Sequence, residues 1–322
     1  MPKSRRILIV TANRAETGLL EPVMKELRAR SDVEAEWCML QPQSSFVTEI
    51  VDSVLHPFFN ILQKFKPDIV LVPCDRWEIV YVAAYAYHRN FIVAHFHAGD
   101  FGADHPDDLN RRAISCFSHI MLCNEAKSQT ALWRAGEERW RTFLVGSTAF
   151  DHVNIDTSLC PAEPFDLVIL HPDPVSREAT LNDLKETIQC VRNTLHVIWL
   201  APNKDINNEV IRAFLEKEKE QRERQDTTKW YFGSFLDIHL DNIPRPQFLG
   251  LLKNARRCVG NSSAFIYEKP YLNKTSEVVM VGHRNSEKKP LTAVQTGGSK
   301  KIAEILATIP LDERLRRKRL VI

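Results

Sequence analysis

No run of about 18 apolar residues occurs in this chain, which excludes a helical membrane span. The opening MPKSRRILIV leads straight into a strand-like run, without the apolar core and small-residue cleavage site of a signal peptide. The seven cysteines are scattered and odd in number, and no CxxC occurs. That pattern argues against a disulfide framework or a thiolate zinc site, and a cytoplasmic location is expected. Neither GxGxxG nor GxxxxGK[ST] is present, so nicotinamide and P-loop readings lose support and no cofactor is expected. The net charge is only +2, too small to argue for a nucleic-acid partner. The one dense basic run, RLRRKR at 314–319, reads as a solvated helix end.

What is present is an alternation. Short apolar runs such as RILIVT (6–11), DIVLVP (68–73) and FIVAHFH (91–97) have the length of buried strands. Segments with a helical apolar period lie between them, for example 16–30 with Leu19, Leu20, Val23, Met24 and Leu27. The 322 residues suffice for about two domains, and a Pro-containing stretch, DTSLCPAEPF at 156–165, interrupts the pattern before it restarts. The expected fold is α/β: two Rossmann-like domains, each a parallel sheet wound with helices, their ligand loops facing each other across a cleft. The boundaries expected are 1–155, 156–310 and a basic tail at 311–322.

Polar groups collect where these strand-like runs end, as ligand groups do in open α/β sheets. Residues 92–112, IVAHFHAGDFGADHPDDLNRR, pack three histidines, four aspartates and two arginines into one strand end, loop and helix start. Alternation places His95 and His97 on one strand face, and Asp107 and Arg111 are four apart on the helix. The HxH pair is a usable zinc pair with Asp100 or His105, but no second half of a ligand motif accompanies it, so no metal is expected. A salt-bridged surface loop is the plainer reading of the same residues. Other strand ends carry Arg14, then Asp75, Arg76 and Glu78, then His171 in LHPD, then Asn203 and Asp205 in APNKD. The last is GNSSAFIYE at 260–268. Its Asn261, Ser262 and Ser263 would open a helix, either as an ordinary serine cap or as a diphosphate cradle, with Glu268 further along to accept from ribose hydroxyls. Arg14 and Arg284 are candidate phosphate forks.

Taken together and in order, VTANRAETGLLEPV, PDIVLVPCDRWE, AHFHAGD…DDLNRRAISCFSHI, ILHPD, APNKD and PRPQFLGLLKN…VGNSSAFIYE…VVMVGHR resemble the UDP-N-acetylglucosamine 2-epimerase family, over residues 6–284. The resemblance implies a GT-B fold, a UDP-sugar substrate and a homodimer. It places Arg14, Ser262, Ser263, Glu268 and Arg284 on the uridine and diphosphate, and Asp75, His97, Asp107, Arg111 and His171 at the chemistry. Arg76, Asn203 and Asn261 are added to the substrate-binding set. NRAETGLL, CDRWE and AISCFSHI are similar to the hydrolysing branch, which releases UDP and ManNAc through a glycal; PDDLNR is similar to the non-hydrolysing one. The hydrolysing outcome is favoured, with a GT-B glycosyltransferase or an inactive nucleotide-sugar binder as alternatives. The chain departs from the family pattern at several points. His97 stands where a glutamate is usual, Cys74 where a glycine is, and Arg112 where the hydrolysing branch has histidine. RNSEK follows where RQxGR is expected, and the segment between Leu40 and Phe65 is short.

Overall fold

The computed structural model describes residues 4–40, 47–101, 106–202, 205–223, 235–239, 243–285, 296–319 and 321. They form two compact units, one of residues 1–152 with 294–322, the other of residues 153–293.

In the first unit β1 (Arg5–Thr11), β2 (Val33–Met39), β3 (Ile69–Pro73), β4 (Ile92–Phe96), β5 (Ile120–Cys123) and β6 (Thr142–Leu144) make one sheet in the order β2-β1-β3-β4-β5-β6. Every ladder is parallel. Strand alternation explains the packing. Leu8, Val10, Val70, Val72 and Val93 face one way, onto Phe58 and Leu62 of α2 (Val47–Phe65), Val82 and Ala83 of α3 (Trp77–His88) and Ile114 of α4 (Pro106–Phe117). Ile7, Ile9, Ile69, Leu71, Ile92 and Ala94 face the other way, onto Leu20, Val23 and Leu27 of α1 (Arg14–Arg28). Both faces are covered, which is why these strands read as continuous apolar runs. Helix α2 is continuous through Pro57. After β5 comes α5 (Ala126–Arg134).

In the second unit β7 (Asp166–Ile169), β8 (His196–Leu200), β9 (Phe235–His239), β10 (Arg257–Gly260) and β11 (Glu277–Met280) form a second parallel sheet, in the order β11-β10-β7-β8-β9. Val168, Val197, Trp199 and Val259 bury against Leu184 and Val191 of α6 (Arg177–Val191) and Ile211 and Leu215 of α7 (Asn208–Glu223). At the start of β7 the buried Asp166 receives forks from Arg256 and Arg257 and a hydroxyl from Thr194. Three donors compensate the cost of burying that charge. Then follow α8 (Arg245–Asn254) and two four-residue helices, α9 (Ala264–Tyr267) and α10 (Lys269–Leu272). The Lys269 ammonium is buried on the Leu252 and Ala255 carbonyls at the C-terminal end of α8, where a cation suits the helix dipole.

One expectation fails at the C-terminus. Helix α11 (Gly298–Thr308) belongs to the first unit: Ile302, Ala303 and Leu306 join the core on the β1–β3 face. Asp151 caps its first turn through the Gly297 and Ser299 N–H groups, and Arg5 takes the Leu306 and Ile309 carbonyls at its end. Gly298 is required where it stands, because a Cβ there would lie 2.7 Å from the Gly146 carbonyl oxygen. The basic run is a solvated helix end at Arg314, Arg316, Arg317 and Arg319, which are exposed, and departs from that reading at Lys318. Within α12 (Glu313–Arg316) and after it, Leu315 is buried, Lys318 is 5% exposed and paired with Glu137, and the fully buried Arg141 donates to the carbonyls of Arg314, Leu315 and Arg317. The sequence shows an apolar helix face; it does not show which of two similar sheets that face will cover. Among the described residues, no helix is long and apolar enough to cross a membrane.

Candidate functional site

In the first unit the polar groups gather at the carboxyl ends of neighbouring strands β3, β1 and β4. Strand β3 ends at Pro73, and Cys74 then takes a left-handed φ of 37°. Its N–H still donates to the Phe96 carbonyl of β4, so the turn is held to the sheet as the chain reaches Asp75. Strand β4 ends at Phe96, and His97 takes φ 59°. Alternation therefore stops one residue short of the expectation: His95 points into the core, fully buried, while the His97 ring folds back to stack on Phe96 at 4.1 Å. Gly99, at φ 80°, has no room for a side chain, since a Cβ would lie 2.2 Å from the Ser128 carbonyl oxygen of α5.

Arg111 of α4 is the hub. It is 5% exposed, forms ion pairs with Asp75 and with Asp100 (3.2 Å), and donates to the His97 carbonyl at 3.3 Å. Burial pushes the guanidinium pKa down, but the two carboxylates outweigh burial and the net shift is upward, so its charge is permanent. One buried cation thus ties together the loops after β3 and β4. Asp107 is half-buried one turn earlier on the same helix. The ion pair at i,i+4 on α4 is Asp108–Arg112, and Arg112 also lies over the Phe101 ring at 4.0 Å. Arg76 forks onto the buried Glu78 at 2.8 and 3.0 Å.

At the end of β1, Asn13 caps α1 and Glu16 closes the capping box, accepting from the Ala12 N–H at 2.7 Å and the Asn13 N–H at 3.3 Å. Burial pushes the Glu16 carboxyl up to about 8, so it carries its proton at neutral pH. Three histidines are shifted the opposite way by burial: His95 to about 3, and His119 and His171 to about 4. The signs give a pH profile. Between about 4 and the ordinary histidine value of 6.5 the unfolded chain takes up protons that these native imidazoles refuse, so stability falls as pH is lowered through that window. Between 4.5 and about 8 native Glu16 holds a proton that the unfolded chain releases, so its contribution is lost as pH rises. Glu16→Gln keeps an acceptor for the cap and removes the titration. We expect urea unfolding of this variant to lose the decline in stability that the wild type shows from about pH 6.5 to 8. An unchanged decline would refute the assignment.

In the second unit the fully buried Asn261 holds the loop that carries His171. Its Oδ1 accepts from the His171 N–H at 2.7 Å, and its Nδ2 donates to the His171 carbonyl at 2.9 Å. Arg284 donates to the Pro172 carbonyl at 3.0 Å, and Asn285 donates to the Asn261 carbonyl at 2.9 Å. His171 Nδ1 is buried without a hydrogen-bond partner among the described residues. After burial, the nearby Arg284 charge is the next cause keeping this imidazole neutral. An anion bound beside it would favour its protonation.

The GNSS segment differs from the expectation. Gly260, at φ 135°, lets β10 pass so close to β7 that a Cβ would lie 2.1 Å from the Ile169 carbonyl oxygen. Ser262, not Ser263, accepts the Ala264 N–H (3.3 Å), and Ser263 is exposed. The helix that this segment opens is two short ones meeting at Glu268. Glu268 is nearly buried and paired with Arg245 of α8 at 2.7 Å. Asn203 lies outside the described residues, as does His105, and only the backbone of Arg14 is described, at the first position of α1.

The first-unit set thus includes Asp75, His97 and Arg111, the second Asn261, Ser262, Glu268, Arg284 and His171. Two participants are not foreseen in the sequence, Glu16 and Arg245; Asp100 and His95 are in view there as possible zinc ligands, not as the partners of Arg111 and of the Cys74 carbonyl. NRAE is a capping-box spelling and was legible for Glu16. Nothing local distinguishes Arg245, which meets Glu268 only through the packing of α8. Among the described residues no group of three or more His, Cys, Asp or Glu side chains is arranged to hold a metal ion.

The family model for UDP-N-acetylglucosamine 2-epimerase matches residues 2–310. A hydrolysing UDP-N,N'-diacetylbacillosamine 2-epimerase of Legionella pneumophila is 26% identical, over 88% of this chain and 82% of that protein. A hydrolysing GDP/UDP-N,N'-diacetylbacillosamine 2-epimerase of Campylobacter jejuni is 23% identical, over 83% of this chain and 78% of that one. Among solved structures, the UDP-GlcNAc 2-epimerase of Neisseria meningitidis bound to UDP-GlcNAc superposes with a TM-score of 0.67 at 15% identity, covering 95% of each chain. At that identity the likeness speaks for the fold. Motif order, paired parallel sheets and a match across nearly the whole length agree: this chain belongs to the UDP-N-acetylglucosamine 2-epimerase family.

Proposed function

We propose that this protein is a hydrolysing 2-epimerase of a UDP-linked 2-acetamido sugar, converting UDP-GlcNAc and water into UDP and ManNAc. The observation that carries the reading is the buried Arg111, fixed between Asp75 and Asp100 at the ends of β3 and β4. Elimination needs a base for the C2 proton and a stabilised leaving diphosphate. The C2 proton leaves to a carboxylate or imidazole, the C1–O bond breaks with its electrons going to UDP, and a C1=C2 glycal remains. Water then adds its oxygen to C1 while a proton is delivered to C2 from the opposite face. Asp75, His97 and Asp107 are the candidate acid/base groups, with Arg111 holding Asp75 in place. Ser262, Ser263, Arg14 and Arg284 are assigned to the diphosphate, and Glu268 to the ribose. A neutral His171 suits a group that gains its proton as negative charge builds on UDP.

Two relatives are named for diacetylbacillosamine, which favours a second sugar as substrate. Incubation with UDP-GlcNAc and with UDP-N,N'-diacetylbacillosamine, followed by NMR for UDP release and C2 configuration, decides between them. Asp107→Asn is expected to lower kcat by about 10²-fold or more while leaving the Kd for UDP within about threefold. Tight UDP-sugar binding with no release of UDP would instead identify an inactive binder. The cytoplasm is the compartment proposed, in keeping with seven unpaired cysteines.

A further inference from the structure

We propose that His95 is a positioning residue of this site, a strut that sets the placement of Asp75 against Arg111. This inference rests on the proposed function for its kinetic consequences and on the structure alone for its geometry. His95 is fully buried, and both ring nitrogens are used. Nε2 lies 2.8 Å from the Cys74 carbonyl oxygen, and Nδ1 lies 3.0 Å from Ser115 Oγ.

A carbonyl can only accept, so Nε2 must carry the hydrogen. Nδ1 is then a lone pair, and the Ser115 hydroxyl donates to it. The tautomer is therefore dictated by the neighbours. Burial first, then the charges of Arg111, His97 and Lys318, keeps the ring neutral against the opposing pull of the Cys74 carbonyl, so the strut does not titrate at neutral pH.

The two ends of the strut lie beside the ion pair. Cys74 immediately precedes Asp75, and Ser115 is one helical turn beyond Arg111 on α4. Asp75–Arg111 and Cys74–His95–Ser115 thus join the same two elements twice, side by side. Without the second link the Cys74 carbonyl would be free to rotate, the turn being held only by its N–H on the Phe96 carbonyl and by the ion pair. That turn begins at a non-glycine left-handed residue, whose carbonyl needs a fixed partner to hold it there. A displacement of about 1 Å in a catalytic carboxylate is enough to cost about 10²-fold in rate.

The isosteres separate this role from packing. His95→Gln keeps a donor at the Nε2 position, His95→Asn keeps an acceptor at the Nδ1 position and abandons the Cys74 carbonyl, and Ser115→Ala removes one hydroxyl with minimal risk to folding. We expect kcat to fall about 10²-fold in His95→Asn, and about tenfold or less in His95→Gln and Ser115→Ala, with KM within about threefold throughout. Equal losses in Gln and Asn variants, or wild-type kcat in His95→Asn, would overturn the proposal. Readouts independent of turnover are the 15N NMR tautomer of His95 and the exchange rate of the Arg111 guanidinium protons. The proposal requires an Nε2-protonated neutral ring at pH 7 and exchange about tenfold faster in His95→Asn and Ser115→Ala. An Nδ1-protonated ring, or unchanged exchange in both variants, refutes it. If the wild type turns over neither UDP-sugar, the functional reading fails, and these NMR results still decide the strut.

Discussion

Replacing Arg111 by methionine is expected to cost about 3–5 kcal/mol of stability and to abolish turnover. The stem of methionine fills much of the volume, so the loss is electrostatic. Asp100 is 7% exposed, and the partly exposed Asp75 shares the same cation; without it, a buried carboxylate loses a compensating charge beside a second one. The His97 carbonyl also loses its donor, which releases the turn after β4. Asp100→Asn added to Arg111→Met removes one of the two charges that lose Arg111 and should recover about half of the lost stability without restoring activity. Urea unfolding at pH 7 reads the first effect and UDP release the second. A single variant that unfolds within about 1 kcal/mol of the wild type would show that the cluster is solvated rather than buried.

Deleting residues 296–322 is expected to abolish cooperative folding of the first unit while leaving the second able to unfold as before. Ile302, Leu306 and Leu315 are 0%, 0% and 1% exposed, and each is worth about 1.5–3 kcal/mol of burial. Their sum, roughly 5–9 kcal/mol, approaches the whole stability of an ordinary domain. Polar losses add to it. Asp151 loses two N–H donors, Arg5 loses the two carbonyls that end α11, and Arg141 loses three of the carbonyls that hold its buried guanidinium. Leu306→Ala is the milder test, at about 2–5 kcal/mol. Two thermal transitions in the full chain should become one in the truncated chain; a truncated protein with both transitions intact would contradict the packing described for α11.

Much of this architecture is legible in the residues because it rests on local rules. RILIVT, DIVLVP and FIVAHF announce strands buried on both faces, and α4 begins at Pro106, inside the stretch read as a loop and helix start. The candidate site was visible as a list of strand ends rather than as an arrangement. Asp75 and Arg111 were both in view, yet their ion pair joins residues 36 apart in sequence, and no spacing rule reaches that far. Arg111 was matched instead to Asp107 by helical period. His95 and His97 were placed on one face by strand alternation, which holds only while the strand lasts, and β4 ends between them. The C-terminal helix was assigned by chain order, whereas its burial is decided by which sheet offers a complementary face. Charge in the basic run points to solvent, and its four arginines are exposed; Lys318 alone turns inward, as a buried cap on the Ser115 and Cys116 carbonyls at the end of α4.

The most direct test of the central claim is hydrolysis of UDP-GlcNAc in D2O, followed by proton NMR of the released sugar. The account predicts equimolar UDP and free ManNAc in which the C2 position carries deuterium, since the C2 proton is removed and replaced from solvent. Unconsumed UDP-GlcNAc, or release of GlcNAc with its C2 proton retained, would contradict it.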